Sequence, residues 1–401
     1  MLEFKEALSR VIDGVPRLET EAADLNDLNR RVLAESITST INLPVADNSS
    51  MDGYAVRAED IREASPENPA KLRLIDKIPA GQIGENTVEK GTCARIFTGS
   101  FLPEGADAVI MQEDTEVLED GLNILCKDSV KPWENIRFKG EDVKEGAKLI
   151  ESGSRLRTRH LGLIAALGQA RIQVSRRPKV GILATGHELQ EAGQPLSPGS
   201  IYESNRLMLA ELVREVGAIP EIYPLVDDTM EGTKEALQIA AKNNDVVLTS
   251  GGVSVGDYDL IRPAIEAVEG NIHFWRVRLR PGKPFVFAEI GGKPLFGLPG
   301  NPVSAVTTYM VLVRPALLEM QGANKLEPET RECRLSEAIA NRADRPHFFR
   351  VQLGEQDGVT SAGLQGSHAL QSLSKADGWL RVEPGAELQA GEAVSVMVWD
   401  A

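Results

Sequence analysis

The chain has 401 residues, 42% of them hydrophobic, which suffices for several folded domains at about 150 residues each. Its 59 acidic residues exceed the 44 Lys and Arg, and the formal net charge of −15 disfavours a nucleic-acid partner. The three cysteines have neither disulfide nor zinc-site spacing, the N-terminus is charged, and no apolar run approaches the roughly 18 residues of a membrane helix. We therefore expect a cytoplasmic protein that binds neither nucleic acid nor membranes.

The first 172 residues combine helical segments with a β-rich stretch. The spacing of Phe4, Leu8 and Val11 predicts an N-terminal helix, and a second, charged helix is expected around 25–35. Glycine and proline then separate short β-like runs, which predict a small β domain. These runs are 72–75, 93–97 and 108–111. A further helix is expected at 159–167.

From Pro178 onward, strand-like and helix-like segments alternate, which predicts a parallel sheet with crossover helices. The predicted strands are 180–184, 221–226 and 246–249, and the predicted helices are 205–216 and 230–242. Asn301 and Pro302 then suit the start of a helix that reaches about residue 320. After Leu326, short alternating runs predict a C-terminal β-barrel.

Three glycine-rich stretches lie at predicted strand ends, at 249–257, 280–285 and 297–304. Backbone without a Cβ atom can approach a ligand closely and direct N–H groups at an anion. In open α/β sheets, ligands bind at the carboxyl ends of the strands. We therefore expect the three stretches to meet at one site that binds a phosphate-bearing small molecule.

Acidic residues also follow these strands, and carboxylates there commonly hold Mg²⁺ together with substrate phosphates. The candidates in the α/β region are Asp227, Asp228, Asp257 and Asp259. Taken singly, each is better explained as an N-cap or loop residue, since Asp is favoured in turns for local reasons, but their recurrence after successive strands favours a functional role. Glu188 begins a predicted helix, where its charge is favourable in any case, and His187 beside it lacks a Ser or Cys partner. The residues alone leave a catalytic and a structural role open.

Seven motifs occur in the order found in the molybdopterin molybdenumtransferase family, the MoeA type that includes the E domain of gephyrin. They are DNSSMDGYAV at 47–56, IFTGS at 96–100, RFKGED at 137–142, ATGHEL at 184–189, SGGVSVG at 250–256, PGKP at 281–284 and LPGNPVS at 298–304. The resemblance covers nearly the whole chain. Family members often have Asp at the positions of His187 and Glu203.

The resemblance implies a multidomain α/β plus β fold and an elongated homodimer whose cleft is shared between subunits. The implied domains are a linker and dimerisation domain (1–45 with 138–172), an inserted small β domain (46–137), a doubly wound α/β molybdopterin-binding domain (173–327) and a C-terminal β-barrel (328–401).

The resemblance also implies an enzyme that inserts molybdenum from molybdate into adenylylated molybdopterin and releases AMP with the help of Mg²⁺. The implied catalytic residues are Asp52, Asp142, Glu188, Asp228 and Asp259, of which Glu188, Asp228 and Asp259 are the metal candidates. The implied binding residues are Thr98, Ser250, Gly251, Gly252, Arg280, Lys283, Pro299, Pro302, Arg350, Ser367 and Ser372. A further expected partner is the adenylyltransferase that supplies the substrate.

Two alternatives stay open at this point. Related molybdopterin adenylyltransferases resemble the 178–327 region alone, but they lack the motifs of the first 140 residues. A non-catalytic scaffold of the gephyrin E-domain type would not need the retained acids, which are Asp52, Asp142, Glu188, Asp228 and Asp259.

Overall fold

A computed structural model describes residues 1–253 and 259–399. The chain forms two compact units, one built from Met1–Glu35 and the chain from Glu151 onward, the other from Ser36–Ile150. The four-domain division given above stays a prediction.

The Ser36–Ile150 unit is built on a six-stranded sheet. The strands, in spatial order, are Ala108–Met111, Gly53–Val56, Thr92–Ile96, Ala70–Ile78, Asn123–Cys126 and Thr115–Val117. Tyr54 and Val56 pack into one hydrophobic cluster and Ala55 into another, as expected of a strand whose successive side chains face opposite sides. Two short ladders pair Asn48–Ser49 with Ile136–Arg137 and Ile37–Thr38 with Lys148–Ile150. The predicted β character of this region is confirmed.

The N-terminal helix, Phe4–Asp13, is confirmed, with Phe4, Ala7 and Val11 buried at helical spacing. The expected helix around 25–35 is wrong, since only Leu25–Asp27 form a single 3₁₀ turn. The backbone N–H of Leu33 donates instead to Ser154, over 3.0 Å. Hydrogen bonds to distant segments thus outweigh local helix propensity here.

Strand Thr20–Asp24 pairs with Arg171–Ser175, and Leu2–Glu3 pairs with Val277–Arg278. The helix expected at 159–167 is present as Thr158–Ala166.

A six-stranded central sheet carries the α/β region. Its strands, in spatial order, are Ile219–Ile222, Lys179–Ala184, Val246–Ser250, Lys293–Leu298, Val286–Ile290 and Asn271–Trp275. The first four are parallel, Val286–Ile290 is antiparallel to Lys293–Leu298, and Asn271–Trp275 is antiparallel to Val286–Ile290. The helices beside this sheet are Asn205–Glu215, Met230–Asn243 and Ile261–Ala267. The strand expected at 221–226 lies earlier, at Ile219–Ile222. The chain beyond it still follows the neighbouring strand, since the N–H of Tyr223 donates to Ile182 and that of Val226 donates to Ala184, each over 3.0 Å.

The segment Pro302–Met320 is helical, as predicted, and consists of α-helix Pro302–Thr308, a π-helical turn Tyr309–Val313 and α-helix Arg314–Met320. The π turn precedes Pro315, which cannot donate an α-helical hydrogen bond. By length and composition alone the segment could cross a membrane, but 94% of it is buried inside the protein. It forms part of the largest hydrophobic core.

Five strands near the C-terminus close into the predicted barrel. They are Thr330–Leu335, Gly358–Ser361, His347–Leu353, Gly378–Val382 and Ala393–Val398. Arg280 attaches to this barrel, because its N–H donates to Pro346 over 2.9 Å and its carbonyl accepts from Phe348 over 2.8 Å. The barrel is thereby fixed against the glycine-rich turn that begins at Arg280. A short helix, Leu370–Lys375, contacts the barrel strand His347–Leu353 and the helix Pro302–Thr308.

Candidate active site

A cavity of about 680 Å³ lies where the parallel strands of the central sheet end. Its lining comes from the chain after Lys179–Ala184, after Val246–Ser250 and after Lys293–Leu298. The candidates that line it are Glu188, Asp228, Ser250, Gly251, Gly252, Asp259, Pro299 and Pro302. Residues from three separate strand ends therefore meet at one cavity.

The Ser250–Gly252 loop requires glycine at two successive positions. Gly251 has a φ of 92°, and a Cβ atom there would lie 2.8 Å from the carbonyl oxygen of Thr185. Gly252 has a φ of 66°, and its Cβ atom would lie 2.9 Å from Ile261. Both conformations are costly for other residues. The loop therefore presents bare backbone to the cavity.

Asn205, at the start of its helix, ties two of these loops together. Its Nδ2 atom donates to Ser250 Oγ over 2.7 Å and to the Gly300 carbonyl over 2.8 Å. Its Oδ1 atom is buried and accepts no hydrogen bond from the described residues. Asn205 is thus a positioning residue of the cavity, and sequence reasoning used it only as a helix start.

Glu203 is held by the same helix start. Its carboxylate accepts from the N–H groups of Asn205, over 2.6 Å, and Arg206, over 2.9 Å. Arg206 also donates through Nε to Glu203 over 3.0 Å, and both side chains are nearly inaccessible to solvent. Glu203, where family members often have Asp, is thus a carboxylate that orients the residues of the cavity wall.

The three predicted metal ligands line the cavity, whereas Asp257 lies outside the described residues. Asp228 Oδ2 accepts from the N–H of His187 over 3.3 Å. No group of three His, Cys, Asp or Glu side chains in 1–253 and 259–399 forms a metal cage. Mg²⁺ characteristically uses one or two carboxylates plus substrate phosphates and waters. The carboxylates of Glu188, Asp228 and Asp259 are of the ligand type that such a site uses.

A second cavity, of about 430 Å³, adjoins the first, and the two share Pro284, Pro299 and Asn301. Its charged lining residues are Arg280, Lys283 and Arg345, all cations. The Asp and Glu residues that line the first cavity are Glu188, Glu203, Asp228 and Asp259, and its described lining contains neither Arg nor Lys. The site therefore has an acidic half and a basic half.

The turn that carries Arg280 and Lys283 packs tightly against the helix starting at Pro302. A Cβ atom at Gly282, whose φ is 116°, would lie 2.4 Å from the side chain of Thr308. Both cationic side chains are exposed at the cavity. Ser367 lines the same cavity, and its carbonyl accepts from the N–H of Val303 over 3.1 Å.

Arg350 and Ser372 are buried beneath this second cavity rather than exposed in it. Arg350 donates through Nε to Ser372 Oγ over 2.9 Å, and through Nη2 to the carbonyls of Leu364, over 2.7 Å, and Gly366, over 3.1 Å. Its Nη1 atom is buried and has no partner among the described residues. Burial lowers the pKa of Arg350 to about 10, so the guanidinium stays charged at neutral pH.

His347 shares this cationic surrounding. Burial, together with the charges of Arg280 and Arg350, lowers the pKa of His347 to about 3. The imidazole is therefore neutral at physiological pH, and its Nε2 atom is buried without a partner in the described chain.

Comparison with known proteins agrees with this geometry. The family profile of the MoeA N-terminal region (domain I and II) matches residues 2–168, that of a probable molybdopterin binding domain matches 181–319, and that of the MoeA C-terminal region (domain IV) matches 332–399. A molybdopterin molybdenumtransferase of Haemophilus influenzae is 36% identical, over 99% of this chain and 98% of that protein. The chain belongs to the molybdopterin molybdenumtransferase family.

Other members of the family give the same result. A molybdopterin molybdenumtransferase 2 of Mycobacterium tuberculosis is 37% identical over 92% of each chain. The crystal structure of a molybdopterin biosynthesis MoeA protein from Pyrococcus horikoshii OT3 superposes with a TM-score of 0.83 at 31% identity, covering both chains fully. The expected fold class is confirmed.

The remaining molybdenumtransferase candidates, Asp52, Thr98 and Asp142, belong to the Ser36–Ile150 unit. Asp52 Oδ1 accepts from both the N–H and the Oγ1 of Thr98, each over 2.8 Å. These two hydrogen bonds, together with the nearby charge of Arg95, lower the pKa of Asp52. The structure therefore brings Asp52 and Thr98 together, and their hydrogen bonds favour the ionised form of Asp52. Asp142 is exposed in the loop after Ile136–Arg137.

Proposed function

We propose that the protein inserts molybdenum from molybdate into adenylylated molybdopterin and releases AMP. The observation that carries the proposal is the pair of adjoining cavities, one lined by four acids and the other by three cations. The two substrates need different surroundings. Adenylylated molybdopterin carries a phosphate bond to be cleaved, and molybdate is a tetrahedral oxyanion. Family membership fixes the class of reaction.

The basic half suits molybdate. Arginine and lysine donate charge-assisted hydrogen bonds to oxyanions, and Arg280 and Lys283 are exposed where such an ion can reach them. Buried Arg350 adds a positive charge beneath the loop Leu364–Gly366, and no carboxylate in the described chain forms an ion pair with it. An oxyanion in the second cavity would offset that charge.

The acidic half suits the adenylylated pterin. Backbone of Ser250–Gly252 lines the cavity at a strand end, where N–H groups commonly bind phosphate. Glu188, Asp228 and Asp259 would hold Mg²⁺, which supplies charge neutralisation at the phosphate oxygens when it is bound. Cleavage of a phosphate bond needs such neutralisation and an oriented nucleophile more than a covalent intermediate. The carboxylates also orient the substrate in the cavity.

The test measures both products. Purified protein is incubated with adenylylated molybdopterin, molybdate and Mg²⁺, and AMP release and molybdenum incorporation are followed together. We expect Lys283→Gln to raise the half-saturating molybdate concentration by about tenfold or more, since a charge-assisted hydrogen bond is lost. Lys325→Gln removes the same charge at an exposed residue that lines neither cavity, and it should behave as wild type. Formation of adenylylated pterin from ATP, with no metal insertion, would contradict the proposal.

We further propose that the active protein is a homodimer in which Asp52 and Thr98 of one subunit complete the cleft of the other. Asp52→Asn and Asp228→Asn proteins, each inactive alone, are mixed under conditions that exchange subunits. A mixed dimer has one intact shared site of two, so about a quarter of wild-type activity should return. If no activity returns in mixtures shown to contain mixed dimers, the two residues act within one chain. A cytoplasmic location and an encounter with the supplying adenylyltransferase form part of the same proposal.

A further inference from the structure

A third cavity, of about 340 Å³, lies apart from the two just described. We call it the arginine pocket, and it is lined by Asn29, Arg30, Arg155, Arg157, Thr158, Arg159 and Glu215. None of these seven residues lines either half of the candidate active site. All of them belong to the unit that also contains the central sheet.

The arginine pocket concentrates positive charge in a strongly acidic chain. Four guanidinium groups line it against a single carboxylate, that of Glu215. Arg157 also pairs with Glu329 outside the lining, over 2.8 Å. Burial and then the charges of Arg159 and Arg157 lower the pKa of neighbouring His160. The pocket therefore keeps an excess of positive charge.

The backbone fixes the arginines on both sides of the pocket. The N–H of Arg30 donates to the Leu156 carbonyl over 2.9 Å, and the N–H of Leu156 donates to Arg31 over 2.7 Å. Arg30 has a φ of 67°, in the left-handed region that residues other than glycine seldom occupy. Such a conformation persists only where the surrounding structure imposes it. The Arg30 carbonyl also packs closely against Gly217, where a Cβ atom would lie 2.3 Å from the carbonyl oxygen.

The chemistry of the lining selects the ligand. Guanidinium groups match the oxygen geometry of phosphate in pairs, and four of them favour an anion with more than one negative charge. The volume is at the lower end of small-molecule sites, which favours a small anion over a protein segment. Thr158 adds a hydroxyl and begins the helix Thr158–Ala166, so its side of the pocket has a further donor.

We propose that the arginine pocket binds a small phosphate-bearing anion at a site separate from the candidate active site. The anion is either a free polyphosphate or the phosphate group of a nucleotide. Both share the chemistry that the four guanidinium groups recognise.

The experiment measures binding of inorganic pyrophosphate to the full chain by calorimetry at low salt. The test variant is Arg30→Gln with Arg159→Gln, two exposed side chains of the pocket. The control is Arg171→Gln with Arg331→Gln, two exposed side chains outside the pocket that give the same change in net charge. The test and control substitutions are each also combined with Lys283→Gln, because pyrophosphate could bind in the basic cavity that Lys283 lines. Circular dichroism checks that each variant is folded.

We expect pyrophosphate affinity to fall by about tenfold or more in the test variant and to stay within about twofold in the control. Binding of ADP about tenfold tighter than pyrophosphate, lost in the same variant, would identify a nucleotide as the ligand. Equal binding of both would identify the phosphate group alone.

Equal pyrophosphate affinity in wild type, test and control variants would overturn the proposal, as would binding seen only at tens of millimolar. Light scattering gives a further check. If the test variant has a different oligomeric mass but unchanged pyrophosphate affinity, the arginine pocket binds carboxylates of a second copy of the chain. That result would contradict the proposal.

Discussion

Asn205 Nδ2 donates to Ser250 Oγ over 2.7 Å, which links the first turn of a helix to the end of a central strand. The same nitrogen reaches the Gly300 carbonyl in the loop before Pro302. One amide group thus fixes the relative positions of the glycine loop and the Pro299–Pro302 loop. The shape of the acidic cavity depends on that group.

Replacing Asn205 by alanine should therefore reduce both stability and activity. Ser250 Oγ and the Gly300 carbonyl lose their donor, and the free energy of unfolding should fall by about 1–3 kcal/mol. Turnover should fall by about tenfold as the two loops separate. Denaturant unfolding and AMP release measure the two effects.

Asn244→Ala is the matched control, because Asn244 is also buried and its Nδ2 donates to Glu221, Tyr223 and Ala240. It does not line the cavity. Its loss should lower stability while turnover in the folded protein stays unchanged. Equal loss of turnover in both variants would show that general destabilisation explains the Asn205 effect.

Substitutions at the neighbouring residues Asp227 and Asp228 can distinguish an acid that acts in the site from one that belongs only to the turn. Asp228 lines the acidic cavity, whereas Asp227, one residue earlier, is exposed and does not. Asp228→Asn should lower AMP release by about a hundredfold or more if the carboxylate neutralises charge at the reacting phosphate. Asp227→Asn should keep full activity, and the two should unfold at similar denaturant concentrations. Full activity in Asp228→Asn would remove this residue from the mechanism.

Gly251 can be tested against a glycine of similar backbone conformation. Gly391 has a φ of 84° and nothing within 4 Å of a built Cβ atom, whereas the Cβ atom at Gly251 would meet the Thr185 carbonyl. Gly391→Ala should cost roughly 1–2 kcal/mol, the price of a left-handed residue. Gly251→Ala should cost at least about 1 kcal/mol more, because the contact must relax, and should lose activity as the loop moves. Equal stability of the two variants, with activity retained, would mean that the loop tolerates a side chain.

The sequence predicted the alternating α/β region, the Pro302 helix and the barrel, because periodicity and turn residues specify those elements locally. It failed at residues 25–35, where the backbone of Leu33 bonds to Ser154, more than a hundred residues away. It also used Asn205 only as a helix start. Arg350 was named through the family resemblance, but its burial was not foreseen, and its partners lie in a loop and a short helix. Contacts between distant segments leave no periodic signal along the chain. For Arg350 the available hint was an arginine within the largely apolar strand His347–Leu353.

His347 gives a prediction for pH dependence. Its pKa is lowered to about 3 in the folded protein, against an ordinary value of 6.5, by burial first and then by Arg280 and Arg350. Between those two values the unfolded chain binds a proton that the folded protein does not, so stability falls as pH falls. The stabilisation is complete above pH 6.5 and declines by about 1.4 kcal/mol per pH unit below it. His347→Asn cannot titrate, so the free energy of unfolding of wild type should fall toward that of the variant, or below it, between pH 6.5 and pH 4.5. Urea unfolding at several pH values measures the difference in free energy of unfolding between the two proteins, and the titration of other groups cancels in that difference. Parallel curves for the two proteins would show that His347 titrates alike in the folded and unfolded states.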